Sequence, residues 1–383
     1  MATTSTGSLL VVGAYFQQVG NAHNCGAVYT YSPSNLFTPS FSWKQQQMLT
    51  CPFLQTVVQF NFGASVAVAA DGSVLVASAT GYSVDNVHQA GAVFIYALNQ
   101  STGMFPSTYT YMVAVPGTTE LGLMVAVSGN GSVVVASTVN GVFAMVFNAL
   151  TNSYNTSQIY ASRGAVAVSS DGQLAVLGSM ASDNVVVMQY SGGQWTQLTS
   201  FPLPATLTSL YTVSISSDAS LVAVTALLTA YEFTSSYENG VATFTRTSSS
   251  TWAYAASVTG CAGYPTGSAA YFGLGLAVVN DSAVYVGAPT AENPLSTTKQ
   301  FGVGATCLFA LQGNSGSGYA LTQVTPTMQS GTLAAYESST YGIGDGIVVA
   351  SASNGDLLLS ASYYFTGSNN WGRVTAFSGF GCD

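Results

Sequence analysis

The stretch FGASVAVAADGSVLVASATG, residues 62–81, followed after a loop by GAVFIYAL, residues 91–98, decides the fold of this 383-residue chain. Within it, apolar residues alternate with small or polar ones at a period of two, which is the signature of a strand and not of a helix. Asp71-Gly72, between the first two runs, supplies the left-handed backbone position that a tight hairpin needs. The segment reads as three antiparallel strands joined by a tight turn and then a longer loop.

The same plan recurs on both sides of it. LGLMVAVSGNGSVVVAST starts at Leu121 with GVFAMVF after it, and GAVAVSSDGQLAVLGS starts at Gly164 with NVVVMQY after it. YTVSISSDASLVAVTA starts at Tyr211 with GVATFTR, and FGLGLAVVNDSAVYVGAP starts at Phe272 with GATCLFAL. DGIVVASASNGDLLLSAS starts at Asp345 with GRVTAFS; TGSLLVVGA and GAVYTY supply a further copy near Met1. A fourth run follows in most copies, as in SWKQQQML, QWTQLTSF and WAYAASV. Four strands every roughly 40–60 residues is the spacing of a propeller blade, whereas long variable loops inside a constant unit suit a solenoid or a pair of sandwiches less well. The expectation is an all-β, seven-bladed β-propeller of four-stranded antiparallel blades in one domain over 1–383. The blades fall at 1–55, 56–117, 118–162, 163–205, 206–265, 266–335 and 336–383.

The units FGASVAVAADGSVLVASA…GAVFIY and FGLGLAVVNDSAVYVGAP…GATCLFAL resemble FG-GAP repeats, the building units of the integrin α-subunit propeller and of microbial and algal surface proteins. That resemblance covers nearly the whole chain and implies extracellular adhesion or ligand binding. The D-x-D-x-D-G calcium loops of the integrin version are absent: SSDG, AADG and SNGD each offer one carboxylate, against six to eight oxygens for a calcium ion. No metal or other cofactor is expected.

Composition narrows the partners. Charged residues make up 5% of the chain, against about 25% in an ordinary soluble domain. Five Lys and Arg against 14 Asp and Glu leave a net charge of -9. Nucleic acid and anionic membranes both need clustered cations and are excluded. Apolar runs are short, so direct membrane insertion is excluded as well. A surface of uncharged Ser, Thr, Asn and Gln suits an extracellular or cell-surface setting, although ATTSTG after Met1 is not a signal peptide.

Catalytic signatures are scarce. His23 and His88 lack metal-ligand spacing, no G-x-S-x-G elbow occurs, and Asp85, Glu232, Glu238 and Glu292 read as solvated loop acids. The loops between second and third strands are short in the third and fourth blades, moderate in the seventh and long elsewhere. They carry Tyr15, Phe16, His23, Tyr82, His88, Tyr231, Phe233, Tyr237, Tyr364, Phe365 and Trp371. These residues either present contact area to a partner or sugar, or pack the loops onto the blades. Candidate N-glycosylation sites at Asn99, Asn130, Asn155 and Asn280 map to the opposite face, Asn130 and Asn280 in first-to-second strand turns and Asn99 and Asn155 in third-to-fourth strand loops.

Cys25 starts the third strand of the first blade and Cys51 ends its fourth, which places them side by side for a disulfide. Cys261 with Cys307 is a second candidate bridge, between the fifth and sixth blades, leaving Cys382 odd. The first blade lacks part of its inner strand and the last lacks its outer one; these are either ends of a trimmed or divergent chain, or edges at which self or other surface proteins are the expected partners, in a head-to-tail assembly. The resulting expectation is a non-enzymatic structural or adhesion protein of a surface layer or fibre. The alternative is a lectin-like, glycan-binding propeller using the aromatic loops.

Overall fold

Alternating apolar residues give strands in every described repeat, and Asx-Gly turns such as Asp71-Gly72, Asn130-Gly131 and Asp171-Gly172 join several of them. The structure, a computed structural model, describes residues 1–20, 24–34, 42–52, 60–84, 87–179, 182–228, 239–261, 272–279, 281–288, 305–313, 318–324, 341–351, 357–366 and 369–378, with the backbone alone from 341 onward. The chain forms two compact units, one of 1–181 and 187–198, the other of 182–186 and 199–383.

In the first unit, one sheet runs in the order β1 (Ala2–Thr3), β2 (Leu10–Ala14), β3 (Ala27–Pro33), β4 (Trp43–Thr50). The next is β5 (Phe62–Val68), β6 (Val74–Ala79), β7 (Ala92–Ala97), β8 (Tyr111–Val113). A third contains β9 (Val125–Val127), β10 (Val133–Ser137), β11 (Val142–Asn148) and β12 (Ser153–Tyr160). The fourth contains β13 (Gly164–Val168), β14 (Leu174–Ser179), β15 (Asn184–Ser191) and β16 (Gln194–Pro202).

The inner strands of a blade are buried on both faces, as β7 shows. On β7, Phe94 and Tyr96 join Val11, Val28 and Leu49 of the preceding blade in one core. Val93 and Ile95, on the other face, pack with Leu121, Val134 and Met145 of the following blade. Fully burying each such side chain contributes about 1.5–3 kcal/mol.

The FG and GA dipeptides of the repeat turn out to be one device, the junction between consecutive blades. Phe62 N–H donates to Cys25 O at 3.0 Å and Gly26 bridges Phe62 in parallel. One blade on, Leu121 N–H donates to Ala90 O at 2.9 Å and Gly91 bridges Leu121 in the same way. A Cβ on Gly26 or Gly91 would run into the backbone of Phe62 or Leu121. Gly63 and Gly122 have φ of +86° and +96°, and a Cβ there would meet Ala27 O at 2.8 Å or collide with Ser78 Cβ. Phe62 and Leu121, each fully buried, plug the seam that these glycines allow to close.

In the second unit, β17 (Leu207–Ile215), β18 (Leu221–Leu228), β19 (Asn239–Ser248) and β20 (Thr251–Val258) form one sheet. Beside it in sequence come β21 (Leu276–Val278), β22 (Ala283–Ala288), β23 (Ala305–Gly313) and β24 (Tyr319–Gln323). Phe272, Val284, Val286 and Phe309 share a core with Leu221, Ala223 and Val241, while Tyr285 and Leu308 face the other way. The junction reappears at Gly273, where a Cβ would lie 2.7 Å from Thr225 Cγ2 and whose carbonyl accepts from Thr225 Oγ1 at 2.7 Å.

The last sheet, β25 (Tyr341–Ser351), β26 (Leu357–Thr366) and β27 (Asn369–Ser378), holds three strands among the described residues, so six of the seven blades have the expected four. The chain is thus an all-β propeller, with seven antiparallel sheets among the described residues.

Both expected disulfides form. Cys25 and Cys51 pair with a Cα–Cα distance of 5.7 Å, and Cys261 and Cys307 pair at 6.2 Å. Cys382 lies outside the described residues.

Candidate functional site

The carboxylates of the repeat are occupied by structure. Asp71 Oδ1 accepts from Ser73 N–H at 2.8 Å, Asp171 Oδ1 from Gln173 N–H at 2.9 Å, and Asp218 Oδ1 from Ser220 N–H at 3.0 Å. Asn130 does the same for Ser132 N–H at 3.0 Å. Each is an Asx turn that satisfies the hairpin backbone. Burial opposes the charge on Asp218, but the donors from Ser220 and Ser216 outweigh it and hold the carboxyl below its ordinary range. Asp183, with a φ of +50°, is likewise committed, accepting from Thr208 Oγ1 at 2.9 Å and from Ser209 N–H at 2.6 Å. Among the described residues no three His, Cys, Asp or Glu side chains converge as metal ligands would.

Cations are equally sparse. Arg246 donates to the carbonyls of Ser248 and Ser249 and stacks over Trp252 at 4.9 Å, which fixes it to its own hairpin. Lys44 and Arg163 are exposed.

The loops joining β2 to β3 and β6 to β7 share a built base. Gln17 N–H donates to Ala14 O at 3.0 Å and Gly26 N–H to Gln17 O at 2.9 Å. In the next blade Tyr82 N–H donates to Ala79 O at 3.1 Å and Gly91 N–H to Tyr82 O at 2.8 Å, so Gln17 and Tyr82 occupy equivalent places. Tyr82 turns inward, 5.4 Å from the Phe60 ring and 6.2 Å from Phe94. Tyr15 and Phe16 precede that place and stay outside, 41% and 51% exposed, with ring centroids 4.2 Å apart. His88 is exposed on the second of these loops. The aromatic residues therefore divide: Tyr82 anchors its loop, whereas Tyr15 and Phe16 form a solvent-facing pair.

Other expected site residues fall differently. Tyr364 and Phe365 lie within β26 and Trp371 within β27, where Tyr364 pairs with Trp371 across the hairpin, so they are strand residues and not loop residues. Aromatic and β-branched side chains favour the pleated strand, and they carry it almost to the turn. Asn155 sits exposed inside β12 and not in a loop, while Asn99 and Asn130 occupy exposed turns. His23, Asp85, Tyr231, Glu232, Phe233, Tyr237, Glu238, Asn280 and Glu292 lie outside the described residues.

No family model and no curated protein matches the chain. Solved structures do. A protein of Bacteroides uniformis ATCC 8492, provisionally named a 6-phosphogluconolactonase, aligns with a TM-score of 0.58 at 13% identity over 97% of this chain and 96% of its own. A second protein with the same provisional name, from Bacteroides fragilis NCTC 9343, gives a TM-score of 0.56 at 12% identity over 98% and 96%. The β-propeller domain of Cps50 (Swd1) from Myceliophteria thermophila gives 0.55 at 9% identity over 94% and 90%. Two of these neighbours bear an enzyme's name, and this overturns the inference from scarce catalytic signatures to a non-enzymatic adhesion, fibre or lectin-like module. At these identities the likeness is one of fold, and the fold is the β-propeller.

Proposed function

We propose that this chain is a hydrolase that opens the ring of an uncharged sugar lactone. The observation that carries the reading is the end-to-end match to two propellers named as 6-phosphogluconolactonases. Opening a lactone requires a water that loses a proton as it attacks and a stabilised oxyanion. In this reading the sugar ring rests on the Tyr15–Phe16 pair of the first blade, whose exposed faces suit the apolar side of a pyranose. His88, on the equivalent loop of the second blade, takes the proton from water.

The substrate class follows from charge. A phosphorylated lactone is held by charge-assisted hydrogen bonds, usually from several cations. This chain has five Lys and Arg in 383 residues and a net charge of -9, and Arg246 is already committed. The balance favours an unphosphorylated lactone. The two disulfides support an oxidising, extracellular setting. Phe62-Gly63 and Phe272-Gly273 at the blade junctions support the FG-GAP repeat type.

The test is a substrate comparison. Acid release from glucono-δ-lactone and from its 6-phosphate is followed by pH-stat with the full chain. Opening of the neutral lactone well above its spontaneous rate is expected, with little gain for the phosphate, and Tyr15→Ala/Phe16→Ala should raise KM. Spontaneous rates for both lactones would overturn the reading.

A further inference from the structure

Four Asn-Gly steps occur, at Asn130, Asn140, Asn239 and Asn354, the last outside the described residues. Such a step is chemically labile because glycine has no Cβ to shield its backbone nitrogen from the preceding carboxamide. Folding treats the three described steps differently.

Asn130 is locked. Its Oδ1 accepts from Ser132 N–H at 3.0 Å and from Ser128 Oγ at 3.1 Å, and Gly131 N–H donates to Ser128 O at 3.0 Å. Asn239 is 4% exposed and starts β19, with Asn239 paired to Leu227 and Gly240 to Ala226 in the ladder. Asn140 stands apart. It is exposed in the short loop between β10 and β11, and only its own N–H is held, by Thr138 Oγ1 at 3.0 Å. Among the described residues neither its carboxamide nor the Gly141 N–H makes a hydrogen bond.

We infer that Asn140 is a spontaneous modification site, the position at which this protein deamidates in its folded state. The Gly141 nitrogen attacks Asn140 Cγ. The new N–Cγ bond forms as the Cγ–Nδ2 bond breaks, and Nδ2 leaves as ammonia with the proton lost from Gly141. Water then opens the succinimide at either carbonyl, giving aspartate or isoaspartate. The second product lengthens the main chain by a methylene inside the loop that Thr138 N–H closes onto Gly141 O at 2.7 Å.

The full-length folded chain is incubated at mildly alkaline pH, digested, and mapped by mass spectrometry for amide-to-acid conversion. Asn140 should convert at least about tenfold faster than Asn130 or Asn239, a factor worth about 1.4 kcal/mol of turn or ladder hydrogen bonding at the protected sites. In denaturant the three rates should converge, and Asn140→Gln should remove the fast conversion. Equal rates in the folded chain, or a preference for Asn140 that persists in denaturant, would overturn the inference.

Discussion

The hairpin-turn carboxylates show what a single atom does in this repeat. Asp218 Oδ1 accepts from Ser220 N–H and from Ser216 Oγ at 2.7 Å, and Asn130 Oδ1 makes the equivalent pair of bonds two blades earlier in the sequence. The oxygen matters more than the charge, so Asp218→Asn should be nearly neutral at pH 7 while Asp218→Ala costs about 1 kcal/mol in denaturant unfolding. Because folding lowers the Asp218 pKa, its ionic contribution is complete above the unfolded carboxyl pKa, about 4, and is lost as pH falls through the lower folded value. Stability of the parent should therefore drop more steeply than that of Asp218→Asn below about pH 4. Equal acid slopes would show that this carboxylate contributes nothing by its charge. At Asp71, Asp171 and Asn130 the turn was legible from the Asp-Gly or Asn-Gly step, whereas Asp218 precedes Ala219, which takes a φ of +61° without being glycine. The serine partners of Asp218 were not legible, since Ser is abundant and only the hairpin brings Ser216 onto Asp218.

At the level of elements, the blade junction leaves no room for a side chain at Gly26 or Gly91. Gly122 combines a φ of +96° with contact to Ser78 Cβ, whereas Gly103, with a φ of +67°, has open space around it. Gly122→Ala should cost about 2–4 kcal/mol from left-handed strain plus overpacking. Gly103→Ala should cost only the strain, about 1–2 kcal/mol. Thermal unfolding of the two variants reads the difference, and equal losses would mean that the seam at Ser78 is not tight. The sequence displayed this element openly, because Phe62-Gly63 and Gly91-Ala92 recur at fixed places in the repeat. It misplaced Tyr364, Phe365 and Trp371 because an aromatic run without alternation reads as loop or strand alike, and only the pairing of β26 with β27 decides it. Asn155 was misplaced for a related reason: SYNTSQ lacks apolar alternation, yet β12 is an outer strand that needs little.

For the whole molecule, fold and function differ in legibility. Strand period, turn chemistry and cysteine placement gave seven blades and both disulfides, because those features repeat or must lie side by side. The Cys25–Cys51 bridge closes a separation of 26 residues, so replacing both cysteines by serine should lower stability by roughly 3–4 kcal/mol on the chain-entropy account. An unchanged melting temperature would place its role elsewhere. Function did not repeat. The loop residues that could act, such as Tyr15, Phe16 and His88, have no spacing that marks them, and scarcity of signatures is not evidence against catalysis. Under the proposed reading this chain opens a neutral lactone with His88 as the base. The most direct test of that reading is the initial rate of glucono-δ-lactone opening against protein concentration, for the parent chain and for His88→Ala. A rate proportional to parent protein, falling by about a hundredfold or more in the variant, is the predicted result. A rate that ignores protein concentration, or one that His88→Ala leaves unchanged, would contradict the claim.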